Sequence, residues 1–113
     1  LALAAMGAVE VPRGCDTSTP EFEFILKHSG ATAVIVQDAK LYERLAGSPA
    51  LAALKLVVLM DDSSSKAPTA MGGPRIVDFS RVLAEGKDPA AQARYEEAAA
   101  QVGPEDLASI VYT

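Results

Sequence analysis

A parallel α/β fold is what this sequence predicts. Residues 32–37 (Thr-Ala-Val-Ile-Val-Gln) and 56–60 (Leu-Val-Val-Leu-Met) are continuous apolar runs without alternation, the pattern of strands covered on both faces. A helical pattern precedes each run after a very short connection, which places neighbouring strands side by side and parallel through right-handed crossovers. With a further short run at residues 8–12, the order over residues 1–60 becomes strand, helix, strand, helix, strand, a βαβαβ unit. A flexible loop over 61–74 and a stretch of helices ending in a strand over 75–113 complete what reads as one domain-sized piece.

The elements follow in order. Leu1 to Gly7 reads as a helix end closed by glycine, and Ala8-Val9-Glu10-Val11-Pro12 as a strand that stops at Pro12, which has no N–H for a ladder. Arg13-Gly14-Cys15-Asp16 is a loop. Ser18-Thr19-Pro20-Glu21 is a helix start: Thr19 suits the cap, Pro20 the first turn, and Glu21 the positive end of the dipole. Phe22, Ile25 and Leu26 fall on one buried stripe, Lys27 and His28 on the last turn, and Gly30 at the left-handed cap. Asp38 caps a helix in which Leu41 and Leu45 share a face, and Ser48-Pro49 opens a short helical turn. The serine- and glycine-rich residues 61–74 read as an exposed, mobile loop. Asp78 is expected to cap a short helix with Phe79, Val82 and Leu83 inward and Gly86 at its end. Asp88-Pro89 opens a second, alanine-rich helix running to about Val102, whose narrow apolar face suits the surface. Residues 107–112 read as a final strand before Thr113.

Composition removes several function classes. Half of the 113 residues are hydrophobic, and 10 Lys plus Arg stand against 15 Asp plus Glu, a formal charge of −5. An acidic chain lacks the basic face that nucleic acid or an anionic membrane surface requires. No apolar run approaches the ~20 residues of a transmembrane helix. The single Cys15 cannot close an internal disulfide, which suits a reducing cytoplasm. The chain opens inside an apolar helical pattern without a starting methionine, and both ends read as internal to a longer sequence.

No complete phosphate loop and no G-x-G-x-x-G motif follows a strand, and no ligand spacing suits a metal. Cys15 and His28 are the elements of a nucleophile–base pair, yet His28 at a helix end is better explained by the dipole. Asp61-Asp62 after a buried strand resembles the acceptor position of a phospho-receiver domain. Such domains need acidic residues after the first strand, where this chain has Val11-Pro12-Arg13, so a solvated strand end is the favoured reading. Gly72-Gly73 beside Pro74 reads as a turn, and Tyr95-Glu96-Glu97 as a solvated helix face.

Several segments, in order, resemble the AMP-forming acyl-CoA synthetases, in particular their long-chain fatty-acid branch. Gly7-Ala8-Val9-Glu10-Val11-Pro12 is similar to the strand entering the first substrate-lobe loop of that family. Ser18-Thr19-Pro20-Glu21 with Phe24-Ile25-Leu26-Lys27-His28-Ser29-Gly30 resembles its T-P-E and Y-I-L-x-H-S helix. Residues 54–61 and 79–86 match in order and spacing. The closing Pro104-Glu105-Asp106-Leu107-Ala108-Ser109-Ile110-Val111-Tyr112-Thr113 resembles the P-x-D-L-A-x-I-x-Y-T stretch that leads into the phosphate-binding loop S-G-T-T-G-x-P-K-G.

The resemblance implies an internal piece of the large N-terminal domain of an adenylate-forming enzyme. It implies a fatty-acid–CoA ligase using ATP, Mg²⁺ and coenzyme A, cytoplasmic or peripheral to a membrane. Thr113 would be the first residue of the phosphate loop and so a nucleotide-binding residue. No catalytic or metal-binding residue is expected within these 113 residues. The piece alone is expected to bind no cofactor, to be inactive and structural, and to self-associate through exposed strand edges. An aryl- or medium-chain acid ligase, and a non-catalytic flavodoxin-like module, remain as alternatives.

Overall fold

The computed structural model describes every residue of the chain except Ala70, which lies within the expected 61–74 loop. The chain divides into two compact units, residues 14–83 and a second built from residues 1–13 and 84–113.

The larger unit is organised on a three-stranded parallel sheet of order β1-β2-β3: β1 (Ala33–Val36), β2 (Leu56–Leu59) and β3 (Arg75–Asp78). Ala33 pairs with Leu56, and Leu56 with Arg75, so β2 is the central strand. Its Val57, Val58 and Leu59 are buried, Val57 and Leu59 completely, as an apolar run covered on both faces demands. β1 is an edge strand, and the expectation that it too is covered on both faces is corrected: Ala33 and Ile35 are exposed, with Ile35 retaining 51% of its accessible surface.

The expected order of strands is corrected as well. The sheet takes its third strand from residues 75–78, where the sequence pattern suggested no strand, and not from residues 8–12. Four residues with a charge at each end (Arg-Ile-Val-Asp) give too short an apolar signal to stand out as a strand. The parallel unit therefore spans β1 to β3.

One face of the sheet carries the core. Val34, Val36, Val57, Leu59 and Ile76 meet Leu26 and Phe22 of α2 (Thr19–Ser29), and Ala39, Tyr42 and Leu45 of α3 (Ala39–Leu45). Leu51 and Leu54 come from the 3₁₀ turn Pro49–Ala53 and its end. α2 is closed at both ends by the residue chemistry expected, with one shift. The cap is Ser18, whose Oγ accepts the Glu21 N–H at 3.4 Å, and Thr19 is the first helical residue. Gly30 ends the helix at φ +67°, returning its N–H to the Leu26 carbonyl at 3.1 Å. Asp38 caps α3 through the Leu41 N–H at 2.7 Å, and Ser48 caps the following turn.

Exposure is not uniform in the loop after β2. Ser64–Lys66 form a 3₁₀ turn, Ser63 and Ala67 are buried, and only the described residues beyond Ala67 as far as Gly73 are exposed throughout. Asp78 ends β3 and gives its carboxylate to this turn, not to a helix cap. In α4 (Phe79–Glu85), Val82 and Leu83 are exposed, 37% and 56%, against the expected inward face.

In the second unit, α1 (Ala2–Ala5) ends at Gly7 with φ +79°. α5 (Pro89–Ala100) is capped by Asp88 through the Ala90 N–H at 2.9 Å and buries no residue, as a surface helix should. The strands expected at 8–12 and 107–112 reduce to one parallel bridge, Glu10 with Ser109.

Candidate functional site

The position singled out by resemblance, Thr113, lies in the second unit at the end of the bridged segment. Glu10 donates its N–H to the Ala108 carbonyl at 3.0 Å, and Ile110 donates its own to the Glu10 carbonyl at 2.9 Å. In a parallel ladder the next donor on the first segment would be Pro12, which has none, so the pairing stops after one bridge. Beyond it, Arg13 Nη1 donates to the Tyr112 carbonyl at 3.0 Å. Thr113 follows directly and is exposed. This side-chain tether joins residues 99 positions apart; no local spacing could have announced it, although Pro12 followed by a long cationic donor is the trace it leaves in the sequence.

In the larger unit, the chemistry gathers where the parallel strands end, the edge at which α/β sheets place polar groups. β1 runs through Gln37 into Asp38, β2 through Met60 into Asp61-Asp62, and β3 ends on Asp78. The 63–64 turn engages two of these strand ends. Ser63 Oγ accepts the Ala39 N–H at 2.8 Å and donates to the Asp61 carboxylate. Asp78 accepts from Ser64 twice, from N–H at 2.8 Å and from Oγ at 2.6 Å. Ser80 Oγ donates to Asp62 at 2.6 Å. Asp61 and Asp62 are exposed, as the solvated strand-end reading requires, and each accepts a seryl hydroxyl. A shallow depression of about 300 Å³ beside them is lined by both charge signs, among them Lys40, Lys66, Glu43 and Asp61. The geometry builds a clasp that fixes the turn to the sheet; its carboxylates are engaged in holding it.

Cys15 is exposed in its loop, where its carbonyl and that of Thr17 accept Arg44 Nη2 at 2.8 and 3.3 Å. His28 is exposed at the end of α2 and stacks on Phe24, ring centroids 5.4 Å apart and 17° from parallel. These contacts take Cys15 to Arg44 and His28 to Phe24, and none forms a nucleophile–base pair. Among the described residues no group of three or more His, Cys, Asp and Glu is placed to hold a metal ion. Burial pushes the phenol of Tyr42 above its ordinary pKa of 10.0, a core effect that the sequence reading did not anticipate. No helix among the described residues is long and apolar enough to cross a membrane.

Comparison with known proteins adds what the local geometry lacks. The family model for AMP-binding enzymes matches residues 1–113. The chain is 30% identical over 117 residues to the probable acyl-activating enzyme 16, chloroplastic, of Arabidopsis thaliana, an alignment covering 98% of this chain and 16% of that protein. The chain thus spans about a sixth of that relative's length. No solved structure matches it. With the family match running over all its residues, the chain belongs to the AMP-binding enzymes.

Proposed function

We propose that these residues are part of an acid–CoA ligase of the adenylate-forming kind, and of its long-chain fatty-acid branch. The observation that carries the adenylate-forming reading is the family match over residues 1–113, which includes the Pro104-to-Thr113 segment; the long-chain branch rests on the sequence resemblance alone. The similarity to an acyl-activating enzyme supports acid activation as the chemistry, and family membership favours it over a flavodoxin-like module. In the reaction, a carboxylate oxygen attacks the α-phosphorus of ATP and the bond to the β-phosphate oxygen breaks, releasing pyrophosphate. Coenzyme A thiolate then attacks the acyl carbon, forming the thioester while AMP leaves with the electrons of the acyl–oxygen bond.

The work of such a site is positioning and charge neutralisation. Mg²⁺, when bound in the intact ligase, neutralises phosphate charge; the described residues offer no three-ligand group for it, so no metal-borne step is assigned to them. Thr113 is proposed to open the phosphate-binding loop, its hydroxyl and N–H facing the nucleotide. The remainder of the chain supports that loop, and taken alone it is catalytically silent and self-associates.

Acid-dependent exchange of labelled pyrophosphate into ATP by the intact protein tests this reading. Exchange with palmitate, and little with octanoate or benzoate, supports the long-chain branch. A preference for benzoate or octanoate moves the protein to the aryl or medium-chain ligases. No exchange with any of the three acids, from folded protein, sinks the ligase reading.

A further inference from the structure

We infer that Arg13 is a positioning residue for the nucleotide's phosphates, acting through the Tyr112–Thr113 peptide. This rests on the proposal that Thr113 opens the phosphate-binding loop. The starting point is the failure of the ladder between the segments around Glu10 and Ser109. Their parallel pairing makes two backbone hydrogen bonds, at 3.0 and 2.9 Å, and stops where Pro12 supplies no N–H. The ladder's own backbone bonds thus reach Ile110, three residues short of Thr113. The guanidinium of Arg13 reaches further, donating at 3.0 Å to the Tyr112 carbonyl.

That carbonyl is half of the peptide unit whose other half is the Thr113 N–H. The unit is planar and trans, so fixing the direction of the oxygen fixes the opposite direction of the N–H. A cationic donor on the carbonyl also polarises the peptide and strengthens the N–H as a donor in its turn. A backbone N–H held in one direction is the group from which anion-binding loops are built. Arg13 need not touch the nucleotide for this. The Glu10–Ser109 bridge sets the register, and Arg13 carries the constraint across the gap that Pro12 leaves.

The test uses the intact ligase with Arg13→Met, which keeps the stem and removes the donors, and Arg13→Lys, which restores one. Steady-state pyrophosphate exchange and thioester formation give KM for ATP, acid and coenzyme A separately, and Tm reports on folding. Arg13→Met is expected to raise the KM for ATP about tenfold, the scale of one charge-assisted hydrogen bond. KM for the acid and for coenzyme A, and Tm, should stay at their parent values, with partial recovery in Arg13→Lys. An ATP KM within about twofold of the parent overturns the inference. A uniform rise for all three substrates, or a fall in Tm without an ATP-selective effect, overturns it too, since that is general loosening. Should Arg13→Met fail to fold, Arg13→Lys decides by the same ATP-selective or uniform criterion. An unsubstituted enzyme with no acid-dependent exchange removes the ligase reading and this one together. An active parent indifferent to Arg13→Met removes this one alone.

Discussion

Ser63 Oγ accepts the backbone N–H of Ala39 at 2.8 Å, so a residue from the turn after β2 satisfies the first N–H of the helix that follows β1. Helix starts leave their first N–H groups without intrahelical partners, and Asp38 already serves Leu41. Ser63 and Ala39 are both buried, which removes water as a substitute. Ser63→Ala is therefore expected to cost about 1–3 kcal/mol of stability, the range for a buried group left unsatisfied. Urea denaturation measures it, with the exposed Ser65→Ala as a control expected within about 0.5 kcal/mol of the parent. Equal effects of the two substitutions would refute the role given to Ser63.

Leu59 and Met60 are neighbours with opposite burdens. Leu59 is fully buried in the core, while Met60 keeps 52% of its surface exposed. Leu59→Ala should cost about 2–5 kcal/mol, and Met60→Ala under about 0.5 kcal/mol. Thermal or urea unfolding decides, and a large loss from Met60→Ala would show that the exposed face is covered in solution.

Gly30 separates backbone strain from crowding. At φ +67° it sits in the left-handed region, yet a Cβ there meets nothing within 4 Å. Gly30→Ala should cost about 1 kcal/mol from the backbone alone. Gly47, with equally open space and no positive φ, provides the contrast. Gly47→Ala is expected to be neutral or to stabilise by about 0.4–1 kcal/mol through the unfolded chain. Matching losses at both positions would remove φ as the cause.

Much of the helix chemistry was legible because it is local. Asp38, Asp88, Pro20 and Gly30 each act within a few residues of their own positions. Even the misplaced cap of α2 was missed by a single residue, Ser18 for Thr19. What sequence could not carry was long-range pairing. Residues 8–12 have strand composition, but Pro12 restricts them to one bridge with a segment near the other end of the chain. Asp78 looks like a helix cap and is drawn instead to Ser64, 14 residues earlier. The candidate site followed the same rule: Thr113 came from resemblance alone, and its tether Arg13 appears only once the two segments lie side by side.

The phenol of Tyr42 gives stability a pH dependence of defined sign. Burial raises its pKa above 10.0 in the folded chain, so the folded state holds that proton more tightly than the unfolded one. Its contribution is complete below the unfolded value and is lost as pH rises from there through the folded value. Denaturation midpoints followed into the alkaline range should fall less steeply in Tyr42→Phe than in the parent. Parallel alkaline profiles would mean that the ring titrates as though exposed.

Self-association should proceed through β1. Its Ala-Val-Ile-Val sequence carries no charge and no proline on an edge of the sheet, the features that usually block edge pairing. Ile35→Lys places a charge on the exposed side and is expected to lower the concentration-dependent mass of the isolated chain in sedimentation. A parent chain that stays monomeric at high concentration would remove the proposal.

The central place of β2 also decides how the sheet comes apart. It lends one edge to β1 and the other to β3, so neither outer strand pairs with the other, and each has its ladder with β2 alone. Fraying can peel away an outer strand at the loss of one ladder, whereas freeing β2 means losing both. In hydrogen exchange the amides of Val57, Val58 and Leu59 should open only with the whole unit, and those of the two outer strands through smaller, more frequent excursions. Such a sheet dissolves from its margins inward, and the strand between them is the last to take up deuterium.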